Sequence, residues 1–265
     1  MAERGNGPDF IEALARGLDV IRAFDATRPT LTMTEVADRT GLARPTARRI
    51  LLTLAELGYV QSRESGFSLT PRVLELGMSY VHSMGWWDIA RPHMEKLVAA
   101  TGESSSIAQL DGSDIVYVAR VSVPKLIALA VTIGTRFPAA STSLGKVLLA
   151  DLTDDQVASV LAEPSRSGVD VRLSPTPEEL RTELALTRER GWCLTDEALA
   201  RGVRSVAAPL RDGTGRVVAG LNVTVHAAET TVETLVEQHL PRLLTTAAAI
   251  SADFALKSAI PTKTS

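Results

Sequence analysis

Five side chains between residues 44 and 63 have types and a spacing suited to binding nucleic acid. They are Arg44, Thr46, Arg48, Arg49 and Arg63. Arginine donates to phosphate oxygens and to the O6 and N7 acceptors of guanine, and threonine hydroxyls bond to bases or phosphates. The set therefore predicts a surface for double-stranded DNA. The alternative is a helical hairpin whose arginines form an ordinary solvated face.

The segment that carries these side chains has the pattern of a helix-turn-helix. Residues 34–57 predict a short helix, a turn at Gly41 and a second helix with Pro45 in its first turn. One stripe of the second helix is apolar and is expected to pack inward: Ala47, Ile50, Leu51, Leu54 and Leu57. Residues 59–69 follow as two strand-like pieces around a polar turn. This hairpin predicts a wing with Arg63 at its tip, and a winged helix-turn-helix is more specific than the hairpin alone.

A second set of side chains is polar but neutral, and it predicts a pocket for a small molecule. Hydroxyl residues and Gly145 begin a helix near Ser143 and Leu144, where free backbone N–H groups can hold a carboxylate. Simple capping of the helix is the alternative. Asn222 and Thr224 alternate with apolar residues along a strand, and Ser205 lies on the preceding strand. A solvated face would carry charges, so these short neutral groups favour a pocket lining over a wet sheet face.

Other chemistries have little support in the residues. Ser143 and Lys146 have the Ser-x-x-Lys spacing of penicillin-interacting serine enzymes, but the partner motifs Ser-Asp-Asn and Lys-Thr-Gly are absent. Asp196 and Glu197 adjoin without a recognisable partner. We therefore expect no catalytic residues, no metal site and no cofactor. The single cysteine, Cys193, excludes an internal disulfide and suits a reducing cytoplasm.

Length and charge agree with a chain of two domains, one of which contacts DNA. The 265 residues are 45% hydrophobic, which is enough for two cores, and the net charge is −3. Between Asp38 and Arg63, however, five arginines face two acids. A local basic surplus on an acidic chain suits contact with DNA through one small face. We find no signal peptide and no apolar run of membrane-spanning length, so a membrane partner is not expected and the expected location is cytoplasmic.

Alternating helices and hairpins predict an α+β fold. We expect a winged helix-turn-helix domain at 1–70, a linker helix at 71–84, an antiparallel-sheet domain at 85–257 and a flexible tail at 258–265. The expected helices span 10–24, 72–84, 89–101, 143–150, 154–162, 177–190 and 231–254. The expected hairpins are 105–110 with 115–120 and 203–210 with 216–225, and a further strand is expected at 127–132.

Several segments, in order, strongly resemble the IclR family of bacterial transcriptional regulators over roughly residues 10–254. They are Thr46-Ala-Arg-Arg-Ile-Leu-Leu-Thr-Leu54, Glu56-Leu-Gly-Tyr-Val60, Leu69-Thr-Pro-Arg-Val-Leu-Glu-Leu-Gly77, Thr142-Ser-Leu-Gly-Lys146 and Gly202-Val-Arg-Ser-Val-Ala-Ala-Pro209. The resemblance implies a winged helix joined by the linker helix to a GAF-like effector domain. It also implies a homodimer formed through the DNA-binding domains, with a dimer of dimers as a further possibility.

The resemblance further implies which residues bind a small carboxylate effector. Carried over by motif, they are Ser143, Leu144, Asp196, Ser205, Asn222 and Thr224. Some members have Cys in place of Ser205 and Ser in place of Asn222, so this pocket is expected to take a different ligand. Residues 14–24 and the second helix of the hairpin look closest to regulators of aromatic-acid breakdown, in the protocatechuate and β-ketoadipate branch.

These inferences lead to one main hypothesis and two alternatives. The main one is a DNA-binding transcriptional regulator controlled by a small organic acid, with operator DNA as its partner. The first alternative is a small-molecule-binding enzyme or sensor with a structural N-terminal helical domain, which turnover of an acid would reveal. The second is a protein-interaction adaptor, whose association with DNA would lack a steep salt dependence.

Overall fold

The computed structural model describes residues 7–25, 27–84, 87–124 and 131–259, without the side chains of 81–84 and 257–259. The chain divides into two compact units, Met1–Ser83 and Met84–Ser265. Residues 127–130 of the strand expected at 127–132, and residues 260–265 of the expected tail, lie outside the described part. Each unit is described separately below.

The first unit is a winged helix-turn-helix. Its helices are α1 (Glu12–Arg22), α2 (Met33–Thr40) and α3 (Arg44–Glu56), and its strands are β1 (Thr30–Leu31), β2 (Val60–Arg63) and β3 (Gly66–Leu69). Thr32 and Glu35 form a capping box that fixes the start of α2. Gly41 ends α2 with φ 67°, a left-handed conformation that glycine adopts without strain, and so turns the chain into α3.

A small antiparallel sheet forms the wing and closes this unit. Strand β3 lies between β1 and β2, and the β2–β3 hairpin turns at residues 64–65. The core is apolar side chains from the three helices and the sheet: Val20, Leu31, Val36, Ala47, Leu51, Leu54 and Val60. Leu57, which was expected in the inward stripe, is 51% exposed. The helix ends at Glu56, so Leu57 is its C-cap and not a member of the helical stripe.

Residues 71–84 are helical, in two parts. Thr70 caps a 3-10 turn (Pro71–Val73), and α4 (Leu74–Met84) follows directly. The Thr70 hydroxyl also donates to the Gly58 carbonyl at 2.5 Å, which ties the start of this segment to the loop after α3.

The second unit is an antiparallel sheet covered by helices on both faces. Its strands are β4 (Ser104–Asp111), β5 (Asp114–Val121), β6 (Arg136–Pro138), β7 (Cys193–Asp196), β8 (Val203–Arg211) and β9 (Val217–His226), in the order β6-β5-β4-β9-β8-β7. Its helices are α5 (Trp87–Thr101), the 3-10 turn Ala139–Ser141, α6 (Ser143–Leu149), α7 (Asp154–Ala162), α8 (Pro177–Arg190), α9 (Val232–Thr234), a π-helical turn (Leu235–His239) and α10 (Leu240–Ala259).

Each face of this sheet has its own apolar core. Helices α5 and α10 pack on one face, around Met94, Leu221 and Leu243. Helices α6, α7 and α8 contribute to the core on the other face, which includes Leu144 and Leu184. Helix α6 can lie very close to the preceding turn because Gly145 has no side chain: a Cβ built there would be 2.1 Å from the Ala139 carbonyl oxygen.

Three sequence expectations for the second unit were wrong in detail. Val131 and Thr132 are not in a strand, because the Thr132 carbonyl accepts from the Thr135 amide in a turn, and the strand here is β6. The short strand β7 was not expected at all. The last helix includes a π-helical turn and continues to Ala259, so residues 258 and 259 of the expected tail are helical.

Candidate functional site

Helix α3 presents a basic face in the first unit. Arg44, Arg48 and Arg49 are exposed on the first half of this helix, and Thr46 beside them is partly exposed. The nearby Arg39 is neutralised, since it pairs with Asp25 at 2.6 Å. In the described part of the chain, by contrast, the three α3 arginines make no ion pair. Their donors are therefore available to an external anion.

Arg63 stands on the wing, as the sequence predicted. It is exposed at the end of β2, and its Nε donates to the Ser68 hydroxyl on β3 at 3.0 Å. This bond holds the side chain along the hairpin and leaves the terminal nitrogens available. Nucleic-acid contacts from the wing would use those nitrogens.

The second unit contains a cavity between its sheet and α6. Strand register places one row of hydroxyls side by side on this face, because Ser104 pairs with Thr224, Thr224 with Ser205, and Ser205 with Thr195. The next row brings together Arg120, Ser106 and Asn222. Residues far apart in the chain thus form one polar patch under α6.

Helix α6 covers this patch with its first turn. The Ser143 hydroxyl hydrogen-bonds to that of Ser205, and the Thr142 hydroxyl accepts from the Gly145 amide at 3.0 Å. The amides of Ser143 and Leu144 have no hydrogen-bond partner among the described residues. They belong to the first turn, where helical N–H groups lack intrahelical acceptors.

Asn222 is at the centre of the hydrogen bonds in the cavity. Its Oδ1 accepts from the Ser106 amide at 3.0 Å, and its Nδ2 donates to the Thr224 hydroxyl at 2.9 Å. Asn222 is only 2% exposed. Its amide therefore fixes the orientation of the Thr224 hydroxyl, which lines the cavity.

The cavity has a volume of about 60 Å³. Its lining combines the hydroxyl row with the apolar side chains of Leu144, Val123, Val131 and Leu199. This mixed polarity suits a small organic molecule, and because a cavity of roughly 150 Å³ is needed to hold benzene, an aromatic ligand requires the lining to move apart.

Four titratable side chains line the cavity: Glu103, Tyr117, Arg120 and His226. Burial raises the pKa of the Tyr117 phenol to about 12, so this phenol is neutral at physiological pH. Burial also lowers the pKa of the Arg120 guanidinium from its usual value, and the Tyr117 phenol opposes that shift. An arginine remains charged despite such a shift.

The cavity brings together five of the six residues expected to bind an effector: Ser143, Leu144, Ser205, Asn222 and Thr224. Asp196 is not in the lining. Its carboxylate pairs with Arg204 on the adjacent strand at 2.5 Å, and Arg204 also donates to the carbonyls of Ala227 and Thr230. Asp196 is therefore held at the strand end by an arginine that is not part of the lining.

Sequence reasoning missed Tyr117 and Arg120. Simple alternation along β5 would place residues 117 and 120 on opposite faces, yet both line the cavity. The reason is a β-bulge: Ile107 pairs with Ala119 but Ala108 pairs with Tyr117, so Val118 is an extra residue. The available signal was an arginine among the apolar residues in the second half of β5.

The serine–lysine spacing has no catalytic arrangement behind it. Lys146 is 4% exposed and its ammonium pairs with Glu183 on α8, whereas the Ser143 hydroxyl bonds to Ser205. In the described ranges, no three His, Cys, Asp or Glu side chains are grouped to bind a metal ion. Nor is any helix of those ranges long and apolar enough to cross a membrane.

Two family models match the chain. The IclR helix-turn-helix domain matches residues 13–64, and the bacterial transcriptional regulator IclR C-terminal domain matches residues 78–252. Both family models describe transcriptional regulators and not enzymes, which confirms the prediction that this protein is not an enzyme.

Individual relatives are similar over most of the chain. The Pca regulon regulatory protein of Pseudomonas putida is 38% identical over 238 residues, which are 89% of this chain and 82% of that protein. The p-hydroxybenzoate hydroxylase transcriptional activator of Acinetobacter baylyi is 37% identical over 248 residues, 90% of each. A crystal structure of a protein described as a transcriptional regulator from Rhodococcus sp. RHA1 is 45% identical, with a TM-score of 0.83 over 94% of this chain and 100% of that one. The predicted α+β fold class is confirmed.

Proposed function

The chain belongs to the IclR family of bacterial transcriptional regulators, and from that premise we propose that it binds operator DNA in the cytoplasm under the control of a small aromatic acid. The observation that carries the proposal is the cavity under α6, with its hydroxyl row and the Tyr117 ring. Relatives 37–38% identical are named for the Pca regulon and for p-hydroxybenzoate hydroxylase, which supports an aromatic acid as the effector.

The DNA-binding part of the proposal rests on the unpaired basic face. Arg44, Arg48, Arg49 and Thr46 would meet bases and phosphates in the major groove, and Arg63 would contact the backbone or minor groove from the wing. If Arg49 binds a guanine with two hydrogen bonds, Arg49→Ala costs about 1–3 kcal/mol on specific DNA and little on random DNA. Arg181→Ala, which removes an exposed charge from the second unit, is the control and leaves both affinities unchanged. Equal losses on both DNAs would make Arg49 a phosphate contact.

We propose that two copies associate through apolar side chains that the first unit leaves exposed. On α1 and just before it these are Phe10, Ile11, Leu14 and Leu18, exposed by 42–65%. Solvent-exposed apolar patches of this kind commonly mark interfaces, and a two-fold dimer reads two half-sites. Leu14→Glu is expected to shift the protein toward monomer in sedimentation and to weaken operator binding. Leu186→Glu, at a similarly exposed leucine of α8, is the control. A dimer that survives Leu14→Glu contradicts the assignment.

Control by the ligand requires that the ligand bind two arrangements of the DNA-binding units with different affinity. We propose that residues 71–84, the helical segment that follows the wing and overlaps the start of the C-terminal family match, carry this change. Saturating acid is then expected to alter operator affinity, stoichiometry or DNA bending. If all three stay unchanged, this mechanism is wrong.

The decisive experiment measures binding to the DNA upstream of the protein's own gene at fixed salt. The titration is repeated with 4-hydroxybenzoate, protocatechuate and β-ketoadipate. A salt-sensitive, sequence-specific complex that one aromatic acid alters is the expected result. A specific complex that only β-ketoadipate alters would retain the regulator and reject the aromatic effector. Binding with no sequence preference and no steep salt dependence, there or on any genomic fragment, would contradict the DNA-binding proposal.

A further inference from the structure

Arg120 occupies an unusual position for an arginine. The bulge at Val118 turns its side chain onto the cavity face of β5, where it is only partly exposed and lines the cavity. Its Nη1 donates to the Ser106 hydroxyl at 3.0 Å. A guanidinium has five N–H donors in a fixed fork, so this one bond to a neutral oxygen leaves the others for a further acceptor.

Several arginines of the second unit have carboxylate partners, and others, such as Arg188 and Arg242, donate to backbone carbonyls. Arg136 donates to Asp111 at 2.6 Å and to Asp114 at 3.2 Å, Arg204 pairs with Asp196, and Arg211 with Asp151. Arg120 has no carboxylate partner among the residues that the structure describes. Leaving a partly buried charge unpaired is costly, so the geometry fits a partner that arrives with the ligand.

The orientation of Arg120 is fixed by its neighbours. Arg120 on β5 pairs with Ser106 on β4, and Ser106 pairs with Asn222 on β9. The guanidinium therefore begins a row of polar side chains that continues into the polar patch under α6. The Ser106 hydroxyl that accepts from Arg120 sits on the residue whose amide binds Asn222 Oδ1. No other lysine or arginine of the described chain lines this cavity.

We propose, building on the function proposed above, that Arg120 binds the carboxylate of the acid effector. The guanidinium fork matches the two oxygens of a carboxylate, which gives the strongest kind of hydrogen-bonded ion pair. The neutral hydroxyls of Ser205 and Thr224 then bind the phenolic hydroxyl groups of the same ligand. This assignment places the acid group at the sheet and not at the first turn of α6, where the resemblance to known regulators would put it.

Calorimetric titration of the whole chain tests the assignment with two acids and their neutral amides. The ligands are 4-hydroxybenzoate, protocatechuate, 4-hydroxybenzamide and 3,4-dihydroxybenzamide. Wild-type protein is expected to prefer each acid over its amide by roughly 10- to 100-fold, the range of a charge-assisted hydrogen bond. Arg120→Gln removes the charge, so its affinities for acid and amide become similar, with the loss confined to the acid. Arg120→Lys keeps a charge without the fork and retains part of the preference.

Arg216→Gln is the matched control, because Arg216 is exposed on the turn before β9 and does not line the cavity. It keeps the wild-type preference. Tryptophan fluorescence during thermal unfolding checks that each variant is folded. An Arg120→Gln protein that is folded and still prefers the acid as strongly as wild type overturns the assignment and points to the α6 amides. Wild-type protein that binds neither aromatic acid contradicts the proposed effector class itself, and the Arg120 assignment with it.

Discussion

Gly145→Ala is the substitution whose effect can be worked most directly from the structure. Gly145 lies in the first turn of α6, next to Ser143 and Leu144 in the cavity lining. An added Cβ would be 2.1 Å from the carbonyl oxygen of Ala139 and 2.4 Å from its Cα. Both atoms belong to backbone, so no flexible side chain can move aside. The helix and the 3-10 turn before it must separate.

The size of the effect follows from that distance. Real Cβ contacts essentially never fall below 3.0 Å, so the two segments must part by about 0.9 Å from the present 2.1 Å. Overpacking of this kind costs about 1–3 kcal/mol, and a contact between two backbones belongs at the upper end. Alanine in a helix recovers about 1 kcal/mol relative to glycine. We therefore expect a net loss of about 2 kcal/mol, or roughly 4–8 °C in Tm for a unit of this size.

Tryptophan fluorescence is the natural assay for this unit. All three tryptophans, at positions 86, 87 and 192, belong to Met84–Ser265. Gly77→Ala is the control, because Gly77 is helical in α4 and a Cβ there meets nothing within 4 Å. That change is expected to raise the free energy of unfolding by about 0.5–1 kcal/mol in calorimetry. If Gly145→Ala leaves the midpoint of the fluorescence unfolding transition unchanged or raises it, the close approach of α6 to Ala139 is refuted. Because α6 carries two lining residues, a shift near 1 Å should also weaken acid binding.

Three further substitutions have defined outcomes. Leu51→Ala empties a fully buried site in the winged-helix core and is expected to cost about 2–5 kcal/mol, which denaturant unfolding followed by circular dichroism will measure. Thr224→Val removes the hydroxyl that accepts from Asn222 and lines the cavity; it is expected to weaken hydroxybenzoate binding but not basal DNA binding, and unchanged ligand affinity would remove Thr224 from the site. The Thr27 hydroxyl, with Arg39 and two backbone amides, lowers the pKa of Asp25 to about 2. A lowered carboxyl pKa stabilises the fold above the unfolded pKa of about 4 and ceases to do so as pH falls through about 2. Asp25→Asn is therefore expected to destabilise the first unit at neutral pH, with a difference that disappears near pH 2 in unfolding curves.

Local signals explain why the helices were predicted well. Helices expected at 154–162 and 177–190 have those bounds in the structure, because each begins with a capping box, at Thr153 and Thr176 respectively. The hairpins β4–β5 and β8–β9 were found from alternation and their turns. Strands β6 and β7 were missed because they are only three and four residues long. Nothing in such short runs distinguishes them from loop.

The polar lining was predictable where strands alternate regularly. Along β9, Asn222 and Thr224 face the cavity while Leu221 and Val223 enter the core under α5 and α10. Ser205 follows from its pairing with Thr224. Asp196 had no such support, since it came from the resemblance alone, and its adjacent strand supplies Arg204 as a partner.

The bulge at Val118 shows why alternation could not complete the site. Without it, Arg120 would share a face with Val118, and Ala119 would share one with Tyr117. With it, Ala119 stays in the core beside Ile107 while both Tyr117 and Arg120 reach the cavity. A bulge depends on which residues of β4 stand opposite, and that register is set by the whole sheet. The bulge thus places the Arg120 guanidinium among neutral hydroxyls. There the charge can distinguish an acid from its amide. Deletion of Val118 would leave Arg120 two positions after Tyr117, on the same face and still opposite Ser106, so the preference for a carboxylate is expected to survive that deletion.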